Sequence, residues 1–412
     1  MLASWTEQQQ NTMFFCTAAF LAAAAACAPT RRLPTPPFVA VRAGRHAAGS
    51  PRDDLVLCPT PGCNTPLKPG KVAGHLFKCP VLAEQRALEA SGYYRRAVNS
   101  GDRLDDEEHD GSGEASSALT PELEARLVAA HATECGSRLL HTPATPALLA
   151  DEDGGGAKPR ANERERERQR LQRRAIAEQL ATLDLLGHGH CLVELGAGNG
   201  ELSLAIAEAY PEEVRSDALI LLDRASKPKG KSKGGRLAAD PRLAEAFGSM
   251  HRVKLSLEDV QLDGLRDAFA PGRCTVVVAK HLCGAASDYA LRALAAACAA
   301  AHPPLGIVLG TCCHHRCAWE AYPARDFLRR SAAVGRSRSE FGALCRLSSR
   351  GVQAADLSAR ADTGRRAKDL LDEGRVRFLR EHAGFEDARL VTYVDGAVTP
   401  ENVLIVASRG QV

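Results

Sequence analysis

Seven consecutive residues, TCCHHRC at 311–317, bring together three cysteines, two histidines and an arginine. Such a set can serve three chemistries. Thiolates and imidazoles bind soft metal ions, a cysteine beside a base is a nucleophile, and a sulfur-rich turn can simply pack. A second reactive run, AKHLCG at 279–284, places Lys280, His281 and Cys283 within four residues. A third, VELGAGNGELS at 193–203, sets Gly196, Gly198 and Gly200 close behind Glu194. The 14 cysteines fall into tight groups such as Cys58/Cys63 and Cys312/Cys313/Cys317, a usage that favours reduced thiols and metal binding over a disulfide scaffold.

The glycine run carries the most information about a ligand. It follows an apolar strand and opens a helix, so the backbone can turn tightly and approach a bound molecule. Its spacing is G-x-G-x-G rather than the dinucleotide G-x-G-x-x-G, which disfavours a nicotinamide oxidoreductase. Pyrophosphate prefers bare amides at a helix N-terminus, whereas the carboxylate of Glu194 suits a cationic cofactor. S-adenosylmethionine, with its sulfonium and α-amino group, fits. Asp223 ends the next strand, where a carboxylate can accept from both ribose hydroxyls. Asp259, in LSLEDV, is placed to accept from the adenine amino group.

The elements that must position these residues read as an α/β domain. CLVEL (191–195), ALILLD (218–223), CTVVVAKH (274–281) and PLGIVLG (304–310) are continuous apolar strands separated by helical stretches, the pattern of a parallel sheet covered on both faces. ARLVTYV and NVLIVAS flank DGAVTPE near the C-terminus and predict a hairpin, which places one antiparallel strand in that sheet. Ligands bind at the carboxyl ends of such strands, which is where Lys280, His281 and the 311–317 run fall. Thr120-Pro121-Glu122 predicts a helix start, with its cap, first-turn proline and early acid in favourable places. ERERERQRLQRR (163–174) predicts a solvated helix, with RNA contact by its arginines as the alternative.

The formal charge of +3 excludes a global nucleic-acid signature, so basic surface must be local. KPKGKSKGGR (227–236) is the best local run for following phosphates without reading bases. The apolar run at 13–28 is short for a membrane span and ends in Ala-Cys-Ala. Glu7 is the only acid before Asp53, so the first residues read as a targeting peptide or a low-complexity extension. RLDDEEHDGSGEASS (103–117) and DEDGGGAKP (151–159) read as breaks.

Taken together, CLVELGAGNGELS, AKHLCGAASDYALR (279–292), GTCCHHRCAWEAY (310–322) and LLDEGRVRFLREHAGF…VTPENVLIVA resemble the eukaryotic tRNA 2′-O-methyltransferase family commonly called Trm-thirteen. The resemblance covers about 54–110 and 160–408. It implies a class I (Rossmann-like) S-adenosylmethionine-dependent methyltransferase: a mostly parallel sheet with an antiparallel C-terminal hairpin, plus a small N-terminal zinc finger. It also implies methylation of the ribose of the fourth acceptor-stem nucleotide of tRNA. The family's Cys-His-His-Cys finger is matched by CPTPGCNTPLKPGKVAGHLFKCP (58–80), except that Cys63 stands where a histidine is expected. Cys58, Cys63, His75 and Cys79 are therefore the expected structural zinc ligands. The family's other finger, of Cys-Cys-Cys-His type, has no counterpart here. The domains expected are a low-complexity extension or targeting peptide at 1–53, the finger at 54–82, a linker with a helix at 83–160 and the methyltransferase domain at 161–412. The expected partner is the tRNA acceptor stem. The mature protein is expected to be monomeric and off the membrane, in the cytoplasm or nucleus unless the N-terminal extension directs it to an organelle.

Methyl transfer from a sulfonium is an in-line displacement, so positioning supplies much of the catalysis. A ribose hydroxyl gains from a base. His281, His314 and His315 are the candidate bases or orienting groups, and Lys280 and Arg316 the candidate phosphate or ribose contacts. Two alternatives stay open. One is a pyrimidine C5-methyltransferase with Cys283, Cys312 or Cys313 as nucleophile; the other is a non-catalytic RNA-binding protein that keeps the fold. The 311–317 run is expected to form the acceptor-side wall of the site, with metal binding as the alternative, because neighbouring cysteines on a turn do not readily all converge on one ion.

Overall fold

The structure is a computed structural model that describes residues 55–101, 120–135, 139–140, 161–187, 189–224, 239–300, 302–332, 334–352 and 358–409. The 1–53 extension, the stretches 103–117 and 151–159 and the lysine run 227–236 lie outside the described residues.

By chain contacts the described residues form two compact units. Of the described residues, the smaller takes in 55–58 and 64–72. In it β1 (Val56–Leu57) pairs antiparallel with β2 (Pro66–Leu67), and Cys58 N donates to Thr65 O at 3.0 Å.

The larger unit, 59–63 and 73 onward, contains most of α1 (Val72–Leu76), then α2 (Pro80–Glu89) and α3 (Pro121–Glu134). Thr120 caps α3 by accepting from Leu123 N at 3.2 Å, as its Thr-Pro-Glu start predicts. The strands that follow are β3 (Leu139–Leu140), β4 (Cys191–Leu195), β5 (Ala218–Asp223), β6 (Ser249–Lys254), β7 (Thr275–Cys283), β8 (Gly306–Cys312), β9 (Arg389–Thr392) and β10 (Val403–Ser408). Helices lie between them: α4 (Ala161–Thr182), α5 (Glu201–Ala209), α6 (Pro211–Val214), α7 (Asp240–Ala246), α8 (Leu262–Phe269), α9 (Ala285–Cys298), α10 (Arg325–Phe327), α11 (Arg338–Ser348) and α12 (Ala359–Ala383).

The sheet order is β3-β9-β10-β8-β7-β4-β5-β6. Strand β10 runs antiparallel to both β8 and β9, and the remaining pairs are parallel. The apolar strands and terminal hairpin predict this mostly parallel sheet with one antiparallel strand, and it is the class I methyltransferase arrangement that the resemblance implies. Strand order reverses at β4, whose neighbours are β5 and β7, and the ends of these strands border the ligand crevice.

Alternation along the strands splits the core into two layers. Val193, Ile220, Val277, Ile307 and Ile405 pack on one face with residues of α8, α9 and α12. Leu192, Leu219, Val276, Val308 and Leu404 pack on the other with residues of α4, α5 and α7. A third cluster joins α3 to α11, α12 and the 319–328 segment through Leu123, Leu127, Trp319, Phe341 and Leu371.

The helix expected within 83–160 takes part in that packing. Leu123, Leu127 and Ala130 of α3 are buried in this third cluster. Helix α2 runs through the expected boundary at 82/83, and the stretch after it is bound to the core as well. Tyr94 bridges to Val260, Asn99 N donates to Glu258 O at 2.9 Å, and Asn99 Nδ2 donates to Leu257 O and Val260 O, both at 2.8 Å. No helix among the described residues is long and apolar enough to cross a membrane.

Candidate active site and metal centre

The glycine loop leaves β4 with all three glycines in the left-handed region, at φ of 67° (Gly196), 50° (Gly198) and 77° (Gly200). Side chains with a Cβ rarely adopt that conformation, so the loop demands glycine. A Cβ on Gly196 would lie 2.8 Å from Leu282 Cδ2, whereas one on Gly198 would meet nothing within 4 Å. The backbone at Gly198 therefore faces open space that a ligand can approach. Gly198 N donates to Asp223 Oδ2 at 2.9 Å, and Arg252 donates to Gly198 O at 2.7 Å, so the loop is held from both sides.

The three expected cofactor acids are placed differently from one another. Asp223 sits at the end of β5 against the loop, within the crevice. Glu194 is buried, and its Oε2 accepts from Ser203 N at 3.1 Å and from the Ser203 hydroxyl. This anchors the start of α5, and burial pushes the Glu194 carboxyl up to about 7. Asp259 lies on a 3-10 turn where its Oδ1 accepts from Ala97 N at 2.7 Å. It thus ties down the stretch that follows α2, a role that no local pattern around LSLEDV shows.

Lys280 and His281 lie on a bulge. The β7–β8 register shifts between Ala279 and Leu282, and His281 takes φ 61°. Bulges re-aim side chains at functional sites, and a left-handed histidine is uncommon. Both side chains reach α4: Lys280 Nζ donates to Gln169 Oε1, and His281 Nε2 lies 2.8 Å from Gln172 Oε1. A carbonyl oxygen only accepts, so Nε2 carries the proton and Nδ1 is the basic nitrogen. Burial, assisted by Arg173, lowers the Lys280 amine to about 8. Burial and the neighbouring Lys280 lower His281 to about 4.

The 311–317 run is divided in function. Thr311 and His314 Nε2 donate to Asp372 Oδ2 at 2.9 and 3.0 Å, and Arg375 donates to Asp372 Oδ1 at 2.8 Å. Arg375 also donates to Asp288 at 2.9 Å and to Cys317 Sγ at 3.0 Å. His314 is 2% exposed, and its buried Nδ1 has no hydrogen-bond partner, so it anchors the turn from inside. His315 and Arg316 are exposed on the same 3-10 turn. Gly284, at φ 55°, packs directly on the Arg316 backbone, and a Cβ there would lie 2.7 Å from Arg316 Cβ. That contact explains why the KHLCG run ends in glycine where it meets CCHHRC.

The cysteines converge more than their neighbouring positions suggest. The sulfurs of Cys283, Cys312 and Cys313 all lie within 4.8 Å of one another, and Cys283 and Cys312 are 3.3 Å apart. Hydrogen bonding from Cys312 lowers the Cys283 thiol to about 6, while Cys312 itself is raised. The cluster joins Cys312 and Cys313 to Cys283 of the other motif, while Cys317, the third cysteine of the run, instead accepts from Arg375. Cys58, Cys63, His75 and Cys79 likewise offer four ligand atoms within 4.8 Å, with Cys63 Sγ 3.4 Å from His75 Nε2. Three sulfurs and one imidazole suit a closed tetrahedral zinc site, so the residues present fit that ion.

A family model described as Methyltransferase TRM13 matches residues 171–361 and 352–408, more than half of the chain. The chain is similar to the tRNA:m(4)X modification enzyme TRM13 of Yarrowia lipolytica, 25% identical over 397 residues that cover 86% of this chain and 82% of the relative. It is also 25% identical to the tRNA:m(4)X modification enzyme TRM13 homolog of Homo sapiens, over 88% of this chain and 89% of that one. Among solved structures, the plantazolicin methyltransferase BpumL in complex with SAH matches 70% of this chain and 97% of its own, at 11% identity and a TM-score of 0.29.

Proposed function

Because the chain belongs to the TRM13 methyltransferase family, we propose that it is a tRNA ribose 2′-O-methyltransferase that modifies the fourth nucleotide of the acceptor stem with S-adenosylmethionine as donor. The observation that carries this reading is the meeting of the Lys280–His281 bulge and the 312–316 turn beside the glycine loop, at the crevice end of the sheet.

S-adenosylmethionine supplies an electrophilic methyl group when bound. The backbone of Gly196, Gly198 and Gly200 would admit it, with Asp223 at its ribose. Glu194, hydrogen-bonded to Ser203, anchors the start of α5 behind the loop. His281, neutral near pH 7 and oriented by Gln172, offers Nδ1 as the acceptor for the ribose hydroxyl proton. Lys280, His315 and Arg316 are the groups for phosphate and sugar contact, which fixes register without reading bases.

A second reading has one observation in its favour. The lowered Cys283 thiol is suited to attack on a pyrimidine C6, which leads to C5 methylation. The test is to incubate purified protein with labelled S-adenosylmethionine and total tRNA and map alkali-resistant linkages. Ribose methylation leaves one resistant linkage in the acceptor stem. Label incorporated without a resistant linkage would overturn the proposal in favour of the base.

A further inference from the structure

We infer that Cys283, Cys312 and Cys313 form a second metal site, one for a thiophilic d10 cation such as zinc, at the carboxyl ends of β7 and β8. It is built from residues other than the four near the N-terminus, and it stands apart from the assignment of the methylated atom.

The sulfur positions carry the inference. A zinc ion bound by thiolates at about 2.3 Å in a tetrahedron separates its sulfurs by about 3.8 Å. Here the three sulfurs lie within 4.8 Å of one another, and the shortest separation is 3.3 Å. The required separation falls within that spread, so small side-chain adjustments suffice.

The backbone is shaped to bring the sulfurs together. Cys283 and Cys312 are register partners on parallel strands and so project to one face of the sheet. The bulge upstream, between Ala279 and Leu282, sets the register that pairs them. Cys313 would point to the opposite face if the strand continued. Instead it turns to φ 50°, a conformation that non-glycine residues adopt only at a cost. That turn lets two adjacent cysteines reach one point. Gly284 N donates to Cys312 O at 3.1 Å and locks the two segments together.

No histidine or carboxylate joins the three sulfurs among the described residues, which leaves the fourth position to water. An ion here would cross-link the Lys280–Gly284 segment to the 312–316 turn.

The test uses the full chain, grown with added zinc and purified without chelator. A Cys58→Ser/Cys79→Ser variant removes the N-terminal cluster. It is expected to retain about one zinc per chain, and to lose it when Cys283→Ser and Cys313→Ser are added. Cobalt in the first variant should give a thiolate-to-cobalt charge-transfer band that the second lacks. A companion measurement on the unmutated chain does not depend on how any variant folds. Iodoacetamide labelling, mapped by peptide mass, should modify Cys283 and Cys313 at least about tenfold faster after chelation than in the zinc-loaded protein. Equal labelling in the two states, an N-terminal variant devoid of metal, or a Cys283–Cys312 disulfide in the unreduced protein would each overturn the inference.

Discussion

Lys280 and His281 owe their properties to a bulge and to what covers it. With its amine at about 8, Lys280 is mostly charged at pH 7 and loses that charge as pH rises through 8. If it contacts phosphate, tRNA affinity should fall across that interval, and Lys280→Arg should flatten the fall; binding titrations at several pH values check this. His281, lowered to about 4, stays neutral from pH 6 upward. The kcat/KM profile should therefore show no histidine inflection near pH 6.5, and His281→Ala should lower kcat by about 10²-fold or more. Gly284 supplies a steric test. Gly284→Ala forces a Cβ onto Arg316 at a left-handed φ, a strain of about 1–3 kcal/mol. Single-turnover rates should drop at least several-fold while cofactor affinity, measured by calorimetry, holds.

Two helices decide how the reactive turns are held. The sequence of helix α4 predicts a solvated helix, and Arg166 and Arg170 are indeed exposed, while Arg164 and Arg168 are half-buried. Gln172, only 3% exposed, instead projects from it to His281. The charge alternation of 163–174 masked this, because glutamine carries no hydropathy signal of its own. Helix α12 holds the TCCHHRC turn through Asp372, whose carboxylate is kept well below its usual range by His314 and Arg375 against the cost of burial. The sign follows. A carboxyl with a depressed folded pKa contributes stability above about pH 4 and loses it as pH falls further. Asp372→Ala leaves His314 and Arg375 without that partner and should cost about 3–5 kcal/mol, read by urea unfolding at pH 7. The wild-type advantage should shrink when the same measurement is made near pH 3. Strand β6, SMHRVK, escaped sequence reading for a related reason: only Val253 along it is fully buried, so no apolar run marks it.

At the scale of the larger unit, the stretch after α2 is bound to the segment around Asp259. Asn99, 2% exposed, donates to two carbonyls beside Asp259. Asn99→Ala leaves those buried acceptors short and should cost about 1–3 kcal/mol locally. Hydrogen exchange should then accelerate through residues 92–101 while the β4–β8 strands stay protected; uniform protection would show that the stretch is held by other contacts. What the sequence by itself determined is the local grammar: apolar strands, glycines needed at positive φ, the capped start of α3, the terminal hairpin and the cysteine–histidine spacing. These are set by sterics and periodicity within a few residues. Only the tertiary structure decided which groups meet. His314 finds Asp372 58 residues away, His281 finds Gln172 across 109, and Asn99 reaches Leu257 across 158. Above all, the three cysteines of two separate motifs converge at one point. Such meetings depend on strand order, on a one-residue register shift and on helix docking, none of which leaves a mark in the local pattern of residues.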